Sequence, residues 1–167
     1  GTMTAELYPD KAPKTVENFL GLVKSGFYSG LIFHRVISGF MIQGGGYNES
    51  FGETDAAAIK GEFAANGFPQ NDLGHTRGVL SMARTQNPNS ASSQFFIMHA
   101  DAPHLDGQYA AFGKVTSGME VVDAIAATKT NYQDRPLTEQ KIASITVERN
   151  GAELAELKKL PDPYGRF

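Results

Sequence analysis

The sequence predicts one mainly β domain, either a sandwich or a closed barrel, that carries two helices. Three observations lead to this prediction. Apolar residues alternate with a period of two in several short segments, Gly and Asn cluster between those segments, and helical periodicity occurs in two places only. A parallel α/β sheet is disfavoured because strands and helices do not alternate along the chain. The length of 167 residues fits a single domain.

Five segments have the alternating pattern of short strands: 3–7, 33–37, 41–43, 94–98 and 145–147. In the second segment, alternation predicts that Arg35 shares a face with Phe33 and Ile37. In the third, it predicts that Gln43 lies on the face of Met41. A guanidinium and an amide therefore project among apolar neighbours. From the residues alone, Arg35 either binds a ligand or pairs with a buried carboxylate.

Two segments have an apolar stripe of helical spacing. The first is expected to begin near Pro13, which suits a first turn, and to end near Gly26, which suits a helix exit. Its stripe consists of Val16, Phe19, Leu20 and Val23. The second runs from Ser117 to about Ala127, and Ser117 and Glu120 have the spacing of a capping box. Its stripe consists of Met119, Val122, Ile125 and Ala126.

Composition and charge exclude several classes of function. Fifteen Lys and Arg against eighteen Asp and Glu give a net charge of −3, so the basic surface of a nucleic-acid-binding protein is missing. The chain has no Cys, which excludes disulfides and thiolate sites and leads us to expect a cytoplasmic protein. No apolar run approaches the roughly 20 residues that cross a bilayer, and we expect no membrane partner.

Two further segments have residue types suited to ligand binding. In 94–98, Gln94 and Phe96 share one face, so this face can present an aromatic ring and an amide to a ligand. A strand buried on both faces is an equally good interpretation. Residues 105–109 join Leu105 to Tyr109 through an Asp-Gly turn, which alone indicates only a turn.

Other chemistries lack their motifs. His99, Asp101 and His104 match no established spacing of metal ligands. Ser, His and Asp are all present, but no G-x-S-x-G elbow marks a nucleophile. The glycines at 44–46 are not followed by the Lys-Ser/Thr of a phosphate-binding loop. We therefore expect neither a metal nor a cofactor.

Four motifs occur in an order that resembles the cyclophilin family of peptidyl-prolyl cis-trans isomerases, in a bacterial-like form. They are FHRVISGFMIQGG (33–45), SMAR (81–84), SSQFFI (92–97) and LDGQYAAFGKV (105–115). The resemblance implies an eight-stranded antiparallel barrel, capped by two helices, with a peptide groove on its outer face. It also implies an isomerase domain over 1–150, with 151–167 as a C-terminal appendage. The first family strand is expected to be missing, which would leave two unpaired edges for the appendage or a second copy to cover.

The resemblance also assigns site residues by position. It gives Arg35 the catalytic role, and it forms the proline pocket from Phe40, Met41, Phe96 and Leu105. Contacts with the peptide backbone fall to Gln43, Ala83, Arg84 and Gln94. Three departures from the family pattern are expected to matter. His104 replaces a pocket-edge Trp and should weaken cyclosporin binding, Tyr109 replaces a His, and residues 47–58 replace a Gly-rich loop.

The function implied is isomerisation of X-Pro bonds in peptides and unfolded proteins, which assists protein folding. Rotation about this bond breaks no covalent bond, so catalysis needs only selective stabilisation of the twisted amide. That requirement agrees with a sequence lacking an evident nucleophile. The alternative is a proline-peptide binding module or scaffold with weak or no turnover. In either case we expect a monomer.

Overall fold

The computed structural model describes residues 1–54 and 56–147, which contain six strands and two helices. The proposed appendage at 151–167 lies outside the described residues. None of the described helices is both long and apolar enough to cross a membrane. In chain order the elements are β1 (Thr4–Leu7), α1 (Pro13–Lys24), β2 (Arg35–Ile37), β3 (Met41–Gly44), β4 (Val79–Met82), β5 (Phe95–Met98), β6 (Ala111–Ser117) and α2 (Met119–Ala126).

All six strands form one antiparallel sheet in the order β1-β6-β4-β5-β3-β2. The predicted class, an antiparallel β fold with two helices, is confirmed. The sheet is open, with β1 and β2 at its edges, and its six described strands are fewer than the eight of the family barrel. The strand predicted at 145–147 was wrong. Ile145 packs against the core, whereas Val147, two residues on, is exposed, and no described segment pairs with either residue.

Helix α1 agrees with the prediction at both ends. Pro13 occupies its first turn, where the missing N–H leaves no bond unmade. At the other end Gly26, with a φ of 74°, donates its N–H to Val23 O, and Phe27 N–H reaches back to Leu22 O. This pair of bonds satisfies two of the last carbonyls of the helix. Pro13 and Gly26 therefore set the two ends of α1, the helix that covers one face of the sheet.

Helix α2 is present, but its predicted cap is not. Ser117 is still the last residue of β6, where it pairs with Thr4. Gly118 then occupies the N-cap position with a φ of 88° and no side-chain cap. Because a left-handed glycine turns the chain directly from strand to helix, the capping box of Ser117 and Glu120 does not form.

The two faces of the sheet pack into two different apolar clusters. Phe95 and Ile97 of β5 belong to the larger cluster, under α1, where Phe19 meets Phe95 edge-on at 5.6 Å between ring centroids. Phe96 and Met98, which alternate with them, belong to a smaller cluster on the opposite face. Strand β5 is thus buried on both faces, and the smaller cluster forms the floor of the site.

Alternation misplaced one residue of β2. Phe33 was predicted on the face of Arg35, but it precedes the strand and is buried with Val36 in the larger cluster. Arg35 is exposed, and Ile37 packs against the smaller cluster as predicted. The strand begins only at Arg35, so its period does not extend back to Phe33.

Candidate active site

One open pocket lies over the smaller apolar cluster, with a cavity volume of about 130 Å³. A dry protein cavity of about 150 Å³ admits benzene, so this pocket has the size for a five-membered ring. Strands β2 and β3, the end of β4, strand β5 and the 103–109 segment all contribute to its wall. The lining residues are Arg35, Phe40, Met41, Gln43, Ala83, Arg84, Phe96, Leu105 and Tyr109.

A relay of side-chain hydrogen bonds orients the polar wall of the pocket. Arg35 Nη1 donates to Gln43 Oε1 at 3.2 Å, and Gln43 Nε2 donates to Gln94 Oε1 at 3.0 Å. Arg35 and Gln43 are direct cross-strand partners in the β2–β3 pair, which explains why the two side chains meet. Within the described chain, Arg35 forms no ion pair with a carboxylate. Among residues 1–54 and 56–147, Arg35 is therefore not paired to a buried acid, contrary to that alternative.

The apolar wall is built from rings and a thioether. Met41 and Phe96 are buried, and Phe96 meets Tyr109 edge-on at 5.8 Å between centroids. Leu105 is buried in a short 3₁₀ turn that faces them. The guanidinium of Arg84 lies 4.6 Å from the centroid of the Tyr109 ring and donates to Gln108 O. Arg84 therefore braces the 105–109 rim, an arrangement of cation and ring that is itself favourable.

Phe40 is placed by a histidine on the neighbouring strand end. The backbone N–H of Gly39 donates to His99 Nδ1 at 2.8 Å, and His99 Nε2 lies 3.1 Å from Asp123 Oδ1. Because Nδ1 accepts a hydrogen bond from the backbone N–H, Nε2 carries the ring proton and directs it toward Asp123. The turn before Phe40 is thereby tied to α2.

Nine of the eleven residues assigned from the family resemblance line this one pocket. The other two lie just outside it. Gln94 stands behind Gln43 as the end of the hydrogen-bond relay, and the exposed His104 stacks on Phe40 at 6.0 Å between ring centroids. The three residues weighed above as metal ligands each contact a different group. His99 contacts Gly39 and Asp123, Asp101 accepts the backbone N–H of Arg77, and His104 stacks on Phe40.

A Ser-His-Asp hydrogen-bond network that no sequence motif indicates lies beneath the pocket, with Ser81 and His75 buried and Asp106 at the surface. His75 Nδ1 lies 3.1 Å from Asp106 Oδ1, and His75 Nε2 lies 2.8 Å from Ser81 Oγ. His75 also stacks on Phe96 at 6.0 Å between centroids. Ser81 has no exposed surface, so its hydroxyl cannot reach a substrate as a nucleophile. The three residues support the pocket from below instead.

Burial controls the charge of His75. It lowers the pKa of the imidazole, and the neighbouring Asp106 carboxylate opposes this shift only in part. The ring is therefore neutral at pH 7. A carboxylate can only accept a hydrogen bond, so the proton sits on Nδ1, and Nε2 accepts from the Ser81 hydroxyl. No sequence motif marks this hydrogen-bond network, because its members come from three separate segments of the sequence: His75, Ser81 and Asp106.

Comparison with known proteins agrees with this geometry. The family model of the cyclophilin type peptidyl-prolyl cis-trans isomerase matches residues 1–147. A peptidyl-prolyl cis-trans isomerase of Acinetobacter baylyi is 49% identical over 158 residues, which cover 89% of this chain and 81% of the relative. One from Arabidopsis thaliana is 44% identical over 151 residues, covering 90% of this chain and 92% of the relative.

Solved structures agree as well. A cyclophilin type peptidyl-prolyl cis-trans isomerase of Cryptosporidium parvum, crystallised in the presence of the dipeptide Ala-Pro, superposes with a TM-score of 0.75 at 33% identity. The match covers 89% of this chain and 93% of that structure. The family match, the relatives and the shared architecture lead to one conclusion: the chain belongs to the cyclophilin-type peptidyl-prolyl cis-trans isomerases and is an isomerase of X-Pro peptide bonds.

Proposed function

We propose that Arg35 and the pocket beside it carry the isomerase activity of this chain. The observation that carries the proposal is a guanidinium on the wall of a proline-sized apolar pocket, held by an amide rather than by an acid. In the described chain no carboxylate competes for it. Its free N–H groups are available to a bound peptide.

The chemistry required is limited to rotation. Amide resonance sets a barrier of about 18–20 kcal/mol, and it is lost when the bond twists. The prolyl nitrogen then regains a lone pair that can accept a hydrogen bond. Arg35 donates to this nitrogen, and because a guanidinium stays protonated at every physiological pH, the donor is always present. The bond is stronger in the twisted state than in either planar state, which is the condition for catalysis.

The pocket supplies the fixed end of the rotation. Phe40, Met41, Phe96 and Leu105 hold the pyrrolidine ring where water is excluded, and the field of Arg35 acts more strongly there than in solution. Gln43, Gln94 and the backbone near Ala83 and Arg84 hold the flanking peptide. The acyl side then rotates while the proline stays in place.

Replacing Arg35 tests this mechanism. We expect Arg35→Ala to remove most of the acceleration in exchange NMR on a short X-Pro peptide, because general electrostatic stabilisers contribute about a hundredfold or more. Peptide affinity should change little, since the apolar pocket remains. Lys24→Gln, which removes one exposed positive charge from α1, is the matched control. Equal rates for wild type and Arg35→Ala would disprove the role of Arg35.

The range of ligands also forms part of the proposal. Unfolded chains are substrates because the pocket is open and recognises a ring and its backbone rather than a folded surface. Cyclosporin binds weakly, because His104 offers a smaller apolar surface beside Phe40 than the Trp that the family places there.

A further inference from the structure

A second guanidinium, that of Arg135, lies beside the strand that carries Arg35. Val36 N–H donates to Asp134 O at 2.7 Å, so the 131–135 segment runs along the free edge of β2. Backbones joined in this way are about 5 Å apart. Arg35 precedes Val36 and Arg135 follows Asp134, so each arginine is next in sequence to one member of this hydrogen-bonded pair.

Arg135 lies over one aromatic ring of a stack. Its guanidinium carbon lies 3.9 Å from the centroid of the Phe51 ring, and Phe51 stacks on Tyr47 at 4.7 Å with 12° between the ring planes. Tyr47 in turn meets His34 at 4.6 Å. The stack runs from Arg135 back to the residue preceding Arg35, and we call these four residues, His34, Tyr47, Phe51 and Arg135, the aromatic shelf.

Phe51 is fixed in an unfavourable conformation at the outer end of this shelf. Its φ of 60° lies in the left-handed region, and the residue is 43% exposed. A bulky residue rarely adopts such a φ, and strain of this kind concentrates at binding sites. The ring is thus held toward solvent, where it keeps Arg135 in position.

The shelf carries positive charge that nothing in the described chain neutralises. Arg77 is paired with Asp123 and Arg84 with backbone carbonyls, whereas Arg35 and Arg135 form no ion pair among the described residues. Asp134 and Glu53 occupy the adjoining loops without an ion pair to Arg135. The two positive charges also act on His34, whose pKa falls to about 4, mainly through burial and then through Arg35 and Arg135. His34 is neutral at pH 7 and leaves both guanidinium groups free.

From this arrangement, and resting on the proposed function of Arg35, we propose that the aromatic shelf is a substrate subsite that binds a carboxylate side chain near the isomerised X-Pro bond. Arg135 is its specificity-determining residue. A guanidinium offers a flat fork of donors that fits a carboxylate. With Arg135 holding an Asp or Glu of the peptide, Arg35 is left free for the prolyl nitrogen. The preferred substrates are therefore acidic peptides, although the protein itself is acidic.

The test uses short Ala-rich peptides with one central X-Pro bond. Glu or Gln is placed at one flanking position at a time, over the two positions before the bond and the two after it. Exchange NMR measures kcat/KM for each peptide. We expect Glu to exceed Gln by about two- to fivefold at one flanking position or more, the range for an exposed ion pair. The gain should shrink as salt rises from about 20 to about 200 mM.

Variants separate Arg135 from the charge of the whole molecule. Arg135→Gln should abolish the preference for Glu over Gln, while Lys24→Gln should preserve it. A preference that survives in Arg135→Gln, or that is lost equally in Lys24→Gln, would overturn the proposal. Equal turnover of Glu and Gln peptides by the wild type would also overturn the proposal, but it would leave the proposed function of Arg35 intact, because the neutral peptides are still isomerised. Failure to turn over any peptide would overturn both.

Discussion

The hydrogen-bond network of Ser81, His75 and Asp106 beneath the pocket yields a quantitative prediction. His75→Phe keeps a ring to stack on Phe96 but removes both ring nitrogens. Asp106 has a side chain 43% exposed and still accepts the backbone N–H of residue 75 at 2.6 Å, so water compensates for its loss. Ser81 has no exposed surface, and its hydroxyl loses its hydrogen-bond partner. A buried hydroxyl left without a partner costs about 1–3 kcal/mol, and the larger ring adds to this.

A double-mutant cycle isolates the cost of the hydroxyl. Ser81→Ala alone leaves His75 Nε2 without its donor and should also destabilise. In the double variant the unpaired hydroxyl and the unpaired nitrogen are both gone, so it should be more stable than the sum of the single changes predicts, by about 1–2 kcal/mol. Urea unfolding of the four proteins measures this coupling energy.

The same variants report on catalysis. Asp106 lies between Leu105 and Gly107 in the pocket rim, so losing its contact with the His75 ring, one of its two contacts with residue 75, should loosen the wall that holds the prolyl ring. We expect His75→Phe to raise KM more than it lowers kcat, because Arg35 and Gln43 stay in place. Asp106→Asn keeps an acceptor oxygen and should have a smaller effect. Additive stabilities within about 0.5 kcal/mol, or an unchanged KM, would refute the assignment of His75 as a positioning residue.

Two further predictions concern histidines. Because the pKa of His34 is lowered to about 4 in the fold, the unfolded chain binds the proton first as pH falls below about 6.5. His34 should then contribute a loss of stability of roughly 1 kcal/mol between pH 7 and pH 5, after allowance for solvent screening. In urea unfolding, His34→Gln should reduce the pH dependence by this amount and leave the contribution of His75, whose pKa is also lowered; a slope unchanged by that variant contradicts the assignment. Second, His104→Trp should tighten cyclosporin binding in a calorimetric titration by enlarging the apolar surface beside Phe40; equal affinities would exclude His104 as the cause of weak binding.

Local patterns were sufficient for the elements in which one face is buried and the other exposed. Helix α1 could be predicted because its apolar stripe, its N-terminal Pro13 and its exit at Gly26 all specify the same helix. Strand β4 was not assigned from its pattern, because all four of its residues are buried and alternation disappears when both faces of a strand are covered. The cap of α2 was misplaced because the requirement for a left-handed residue at Gly118 outweighed the capping box.

The same distinction applies to the site: local patterns indicated some of its residues, and only tertiary contacts reveal the others. Arg35 and Gln43 were detectable because polar side chains within apolar strands need a reason to be there, and their cross-strand pairing supplies it. His75 and Arg135 were not detectable, because each gains its meaning from contacts with residues far away in sequence. His75 meets Asp106 31 residues further along the chain, and Arg135 lies over Phe51 in a different loop. The contacts that support the pocket from below, and those that place Arg135 beside β2, are therefore both products of tertiary packing, and no local pattern in the sequence could reveal them.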